Sequence, residues 1–240
     1  VWNTTTVNWK LTTTGGASVF APSDTVTFDD TSAVNSITCS GAITPALVTF
    51  NNSSRNYTVT GPISGAGGLV KKGTGVATLL GANTFTGGAS ILAGTLALGG
   101  SNVLADTVPV VLNAGKFSTN GNSDAMGPFA LLANSSIDMG TGNSIITFDN
   151  ISDWSATATL TVLNWTGTAG AAGGTDRIIF SKGATNLTTV QLANVQFYDA
   201  AGGAIGSGAT LVNNELVPNA TASARMAELA PTSVLRTSFI

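Results

Sequence analysis

Twelve acidic residues and no histidine are the material for chemistry in this 240-residue chain. The missing histidine removes the commonest general base and metal ligand, so no serine-histidine, cysteine-histidine or zinc constellation can be assembled. The acids therefore have to be weighed in pairs. Asp29-Asp30 is the only adjacent pair; within a strand the two side chains point to opposite faces, and at a strand end they make a turn, which is the reading taken. Asp149 and Asp153 flank Trp154, either as two carboxylates beside an aromatic sugar platform or as a solvated turn ahead of a core tryptophan. The turn is the plainer of the two. Asp176-Arg177 reads as a turn with a charged strand entry, and Gly65-Ala66-Gly67-Gly68 lacks the strand-to-helix context and Lys-Ser/Thr ending of a phosphate loop. Lys71-Lys72 is placed at a solvated corner. Cys39 is the single cysteine, so no disulfide can close within the chain, and its alternating run Ile37-Thr38-Cys39 reads as a small buried apolar residue. The expectation is no catalytic residue, no cofactor and no metal site.

The elements that hold these residues are short alternating strands. Thr25-Val26-Thr27-Phe28, Leu47-Val48-Thr49-Phe50, Asn56-Tyr57-Thr58-Val59-Thr60 and Val76-Ala77-Thr78-Leu79-Leu80 each alternate apolar with polar, the period of a half-buried strand. Leu96, Phe117 and Ile137 occupy matching places in successive strands, and their spacing, roughly twenty residues, is the length of one solenoid rung. These three side chains are expected in one interior stack, with Gly94 and Gly115 at tight corners; generic turns of a β-sandwich are the alternative. Only 9% of the residues are charged, against roughly 25% in ordinary domains. Stacked rungs would account for this, because like charges repeated at about 4.8 Å cost about 0.9 kcal/mol per pair even in water; a general extracellular bias toward small polar residues is the alternative. At about twenty residues and 4.8 Å per rung, the whole chain predicts a rod of about 50 Å. The second half carries longer, more aromatic strands, such as Ser144-Ile145-Ile146-Thr147-Phe148 and Arg177-Ile178-Ile179-Phe180, which predict a wider core.

The stretch from Gly68-Leu69-Val70-Lys71-Lys72 through Asn83-Thr84-Phe85-Thr86-Gly87-Gly88 to Leu98 closely resembles the autotransporter-associated β-strand repeat of bacterial surface and secreted proteins. That resemblance implies an all-β, right-handed parallel β-helix (β-solenoid) outside the cell, secreted or at the surface. Leu160 to Gly167, Gly174 to Phe180 and Glu215-Leu216-Val217-Pro218 look like the C-terminal end of repeat proteins from the Verrucomicrobia and Planctomycetes groups. Those relatives continue into a Pro-Glu-Pro sorting signal, whereas residues 219–240 have a different composition, so secretion or assembly is expected in place of membrane-linked sorting. The chain is expected to begin as a mature sequence.

Residues 1–218 are read as one solenoid and 219–240 as a tail. Thr221 can cap a short helix ended by Pro231, and Ser233 to Ile240 can form a strand. Met226, Leu229, Val234, Leu235, Phe239 and Ile240 are the candidate subunit contacts: the tail is expected either to pack on the next subunit or to fold back as a cap. Copies of the chain itself are the expected partners, assembling end to end into a fibre; a monomeric adhesin or glycan-binding module is the alternative. A net charge of −3 opposes nucleic-acid binding. No run reaches the eighteen or so apolar residues of a membrane helix, so no membrane insertion is expected.

Overall fold

The computed structural model describes residues 1–184 and 187–220. Two parallel sheets run the length of the molecule. The first stacks Thr25–Asp29, Leu47–Asn51, Gly68–Lys72, Ala89–Ile91, Val110–Leu112, Phe129–Leu131 and Ile151–Trp154. The second stacks Ser36–Thr38, Tyr57–Thr60, Val76–Leu80, Thr95–Leu98, Lys116–Ser118, Ser135–Asp138, Leu160–Leu163 and Val195–Tyr198. Seven rungs each contribute one strand to each sheet, and Val195–Tyr198 adds one more to the second, so the chain is an all-β parallel solenoid.

The alternating pattern is what closes the core. In Thr25–Asp29 the side chains of Val26 and Phe28 are buried while Thr25 and Thr27 are exposed, and the same parity recurs in the strand beside it, with Val48 and Phe50 buried. Leu96 pairs with Phe117, and Phe117 with Ile137, in a single fully buried row. That row extends to Ala77 and Tyr57 on one side and to Val162 and Phe197 on the other. Gly94 sits at φ 61°, and a Cβ there would lie 2.3 Å from the Gly73 carbonyl oxygen. At Gly115 a Cβ would meet Ile91 Cγ2 at 2.2 Å. Both corners therefore admit only glycine.

A third sheet opens at Asp124–Met126 and continues through Ile145–Phe148 and Arg177–Phe180. It is the physical form of the wider core: Phe129, Phe148 and Phe180 fill the added space with ring centroids 4.7 to 6.3 Å apart. The longer rungs also correct the length. A uniform repeat of about twenty predicts a rod of about 50 Å, but paired positions move from Ile137 to Val162 to Phe197, and residues 1–24 form no rung. Seven strands of the first sheet leave six spacings, about 29 Å between the first and last.

The two ends differ. At the C-terminal end Ala204–Ser207 pairs antiparallel with Val195–Tyr198, and Ala209–Val212 with Glu215–Pro218 also join antiparallel. A single-turn helix, Thr189–Ala193, lies beside the last strand of the first sheet; its Gln191 amide donates to the Trp154 carbonyl. At the N-terminal end the hairpin of Trp9–Lys10 with Ala17–Ser18 accompanies an aromatic plug, with Trp2 5.5, 5.3 and 5.4 Å from Trp9, Phe20 and Phe28. Trp2 also bridges to Cys39, extending the second sheet.

Candidate functional site

The acids screened for chemistry turn out to brace one rung against another. Asp30 accepts the backbone N–H groups of Ser53, Ser54 and Arg55 at 3.0 Å, one rung on. Desolvation acts to raise its pKa, but these donors outweigh it and hold the carboxyl below its usual value. Its neighbour Asp29 accepts from Thr31 N and Oγ1, so this pair does form a turn. At another corner, fully buried Asp176 accepts from Ser144 N at 2.9 Å and from Thr166 N at 2.8 Å. Asn83 does the same work without a charge, accepting from Ile63 N at 2.9 Å and donating to the Val103 carbonyl at 3.0 Å. Glu215, fully buried, accepts from Arg177 Nε at 2.8 Å and Gly173 N at 2.9 Å, which ties the antiparallel closure to the last rung.

Lys71 corrects the expectation of a solvated corner. Its side chain is fully buried, in register between Phe50 and Ile91 in the interior row of the first sheet. The methylenes continue the ladder, while Nζ donates to the Lys72 and Gly73 carbonyls at the adjacent turn. Desolvation lowers its pKa to about 8. Lys72 is the exposed member of the pair. Asn52 at the same corner is also buried, and its amide donates to the Val76 carbonyl at 3.0 Å.

Asp124 is the brace with a titration to test. It is 3% exposed, and Oδ2 accepts from Val103 N at 2.9 Å and Leu104 N at 3.0 Å, while Oδ1 has no partner. Burial, reinforced by nearby Asp106, outweighs those donors and pushes the carboxyl up from 3.8 to about 6. The native state thus keeps a proton that the unfolded chain loses first. Stability from this group is fully present at acid pH and falls as pH rises from 3.8 to about 6. Asp124→Asn retains the acceptor without the charge. It is expected to raise stability at pH 7.5 by about 2–3 kcal/mol and to change it little at pH 4. Denaturant unfolding at the two pH values checks this, and a gain that is the same at both would sink the assignment.

Among the described residues, the acids singled out in the sequence do not converge on an exposed aromatic ring. Asp149 takes Lys182 as its ion partner at 2.6 Å, Asp153 is exposed on the last strand of the first sheet, and the Trp154 ring is buried 5.8 Å from Phe129. The sugar platform considered for these three residues is therefore not formed; Trp154 is a core anchor. Cys39 is half-buried and its thiol is pushed up to about 11 by burial, so it stays protonated near neutrality and is a poor nucleophile. Among the described residues no three His, Cys, Asp or Glu side chains gather to hold a metal ion, and no helix is long and apolar enough to cross a membrane.

Two concave depressions lie on the outer face of the second sheet. One depression of about 500 Å³ is lined by Thr95, Lys116, Asn134, Ser136 and Thr161 among others. A second of about 430 Å³ shares Thr161 and Leu163 with it and adds Asn164, Gln196, Tyr198 and Asp199. Lys116 and Asp138 form an ion pair of 3.2 Å across this face, and Asp138 also accepts from Asn164 at 2.6 Å. Sequence reasoning missed this groove, because its residues come from several rungs and meet only once the register is known. The candidate subunit contacts Met226, Leu229, Val234, Leu235, Phe239 and Ile240 lie outside the described residues. The chain reaches them after Asn219, whose N–H donates to the Gly208 carbonyl at 3.2 Å, and Ala220, which lies against Gly170.

Residues 69–98 match the family model described as passenger-associated-transport-repeat. The matched stretch is two consecutive rungs, from Leu69 to the end of Thr95–Leu98. No curated protein and no solved structure is significantly similar to the chain.

Proposed function

We propose that this chain, which carries an autotransporter-associated repeat on two of its seven rungs, is a non-catalytic structural module of a secreted or surface-displayed protein that assembles end to end with its own copies. The observation that carries the structural reading is the use of the buried acids. Asp124, Asp176 and Glu215 each accept backbone or Arg donors from another rung or strand, so acidity serves the rod's cohesion. Assembly is supported by residues 221–240, where Val234, Leu235, Phe239 and Ile240 concentrate apolar side chains after the antiparallel closure. Electron microscopy of the purified chain is expected to show fibres with an axial repeat close to the length of one solenoid. A strictly monomeric particle at all concentrations would overturn the assembly.

The outer groove favours one alternative, a glycan-binding surface module. Tyr198 beside Asn164, Gln196 and Asp199 offers an aromatic face with polar neighbours, the chemistry that orients a sugar ring. Titration with neutral and acidic oligosaccharides is the check. Saturable binding that weakens about tenfold in Tyr198→Ala would favour this reading, and no binding by the wild-type chain would remove it.

A further inference from the structure

The assembly proposed above needs an acceptor, and the structure offers one at the N-terminal end. Thr25–Asp29 is the terminal strand of the first sheet and pairs only with Leu47–Asn51. The Asp24 carbonyl accepts from Ala46 N, so by strand alternation Val26 and Phe28 direct their backbone groups to that partner. Thr25 and Thr27 then direct theirs outward, where no described strand pairs with them. At this end the second sheet is extended by the Trp2–Cys39 bridge, and at the far end the helix Thr189–Ala193 donates to the Trp154 carbonyl of the first sheet while antiparallel strands follow the parallel ladder.

Apolar exposure is concentrated at the same end. Among the described residues, most of the large hydrophobic side chains left exposed, namely Val1, Val7, Leu11, Val19 and Val34, precede the first strand of the second sheet. Single exposed apolar residues are ordinary, but several of them in the part of the chain that also carries an unpaired strand edge favour docking of another strand. Charge agrees in sign. Residues 1–34 contain Lys10 against Asp24, Asp29 and Asp30, whereas residues 221–240 contain Arg225 and Arg236 against Glu228.

We infer that the outer edge of Thr25–Asp29 receives residues 233–240 of a second copy as an added strand. This rests on the assembly reading and names its docking surface. Extended, the donor segment would set Leu235 and Phe239 on one face, able to continue the buried side of Val26 and Phe28, and Val234 and Ile240 on the other. Reach is not limiting. The tail leaves the body at Ala220 beside Gly170, and the twelve residues 221–232 ahead of the donor segment can extend up to about 40 Å. Main-chain pairing supplies the affinity of such an added strand and its apolar side chains the specificity.

The test uses full-length variants blocked on one side only. Thr27→Pro removes an N–H that points away from the strand's partner, so the fold is retained and pairing is prevented. Phe239→Asp blocks the donor. Each variant alone is expected to be a folded monomer by circular dichroism and light scattering, and their mixture is expected to give a 1:1 dimer that grows no further. Should Thr27→Pro fail to fold, Thr25→Pro, which removes the other outward N–H of the strand, provides the acceptor block. Fibres from a folded acceptor variant, with Phe239→Asp monomeric, would overturn this docking surface and leave the assembly standing. Folded monomers that form no dimer on mixing would likewise overturn it. A wild-type chain that never assembles would overturn both.

Discussion

Phe117→Ala is expected to destabilise the solenoid by about 3–5 kcal/mol, and to do so as one cooperative loss rather than as local fraying. Phe117 is fully buried, with Leu96 on one side and Ile137 on the other in the middle of an interior row. A rung cannot bury its apolar side chain alone, so a cavity in a middle rung weakens the stacking of both neighbours. Truncation removes the transfer free energy of the ring and leaves a void that backbone-locked rungs fill poorly, since Gly94 and Gly115 already sit in near contact with the rungs beside them. Phe117→Leu should cost clearly less, because it keeps most of the apolar volume. Urea unfolding followed by tryptophan fluorescence checks both. Trp2 lies at one end and Trp165 near the other, so coincident shifts in the two signals, separated by Trp→Phe variants, report on the whole rod. A cost below about 1 kcal/mol, the range of an ordinary surface change, would place Phe117 outside a cooperative stack.

That row was legible because strand parity and rung length act together. Leu96, Phe117 and Ile137 recur once per rung on the same face of their strands, and a one-residue slip would turn each outward. Lys71 shows why the same logic failed nearby. Lys71-Lys72 reads as a charged corner by composition, yet Leu69 and Lys71 share parity, and Lys71 falls one rung after Phe50 and one rung before Ile91. Register, not residue type, decides which side a lysine takes when its stem can pack and its ammonium can reach two turn carbonyls.

The braces were hidden for a related reason. Asp124 with Val103, Asp176 with Ser144 and Glu215 with Arg177 are separated by 21, 32 and 38 residues, and the longer two follow from loops that interrupt the repeat. A search for adjacent acids therefore finds only Asp29-Asp30. The rod is shorter than the uniform repeat predicts on the same grounds: the ladder from Leu96 to Ile137 keeps its spacing, but the third sheet and the segment between Leu163 and Arg177 consume residues without adding rungs. The aromatic packing at the N-terminal end was hidden too, because Trp2, Trp9 and Phe20 carry no repeat and meet only through the fold.

Deleting residues 221–240 is expected to abolish fibre formation while leaving the solenoid's stability within about 0.5 kcal/mol of the parent, the margin of a change that touches no packed feature. The body ahead of the deletion is already closed. Glu215 pairs with Arg177 at 2.8 Å, Leu216 and Val217 are fully buried, and Asn219 bonds to Gly208, so the last rung does not depend on the tail for its cover. If the tail instead folded back over its own chain, its removal would uncover apolar surface. Burial of a large apolar side chain is worth roughly 1.5–3 kcal/mol, so loss of Phe239 and Leu235 from an intramolecular cap would lower the denaturation midpoint well beyond that margin. The two arrangements also differ in concentration dependence. An inter-subunit strand stabilises the parent chain more as protein concentration rises, through mass action, and the truncated chain loses that dependence; an intramolecular cap has none to lose. Light scattering and urea unfolding of both chains over a hundredfold range of concentration separate the cases. Fibres from the truncated chain would show that the subunits join through the body and not through residues 221–240.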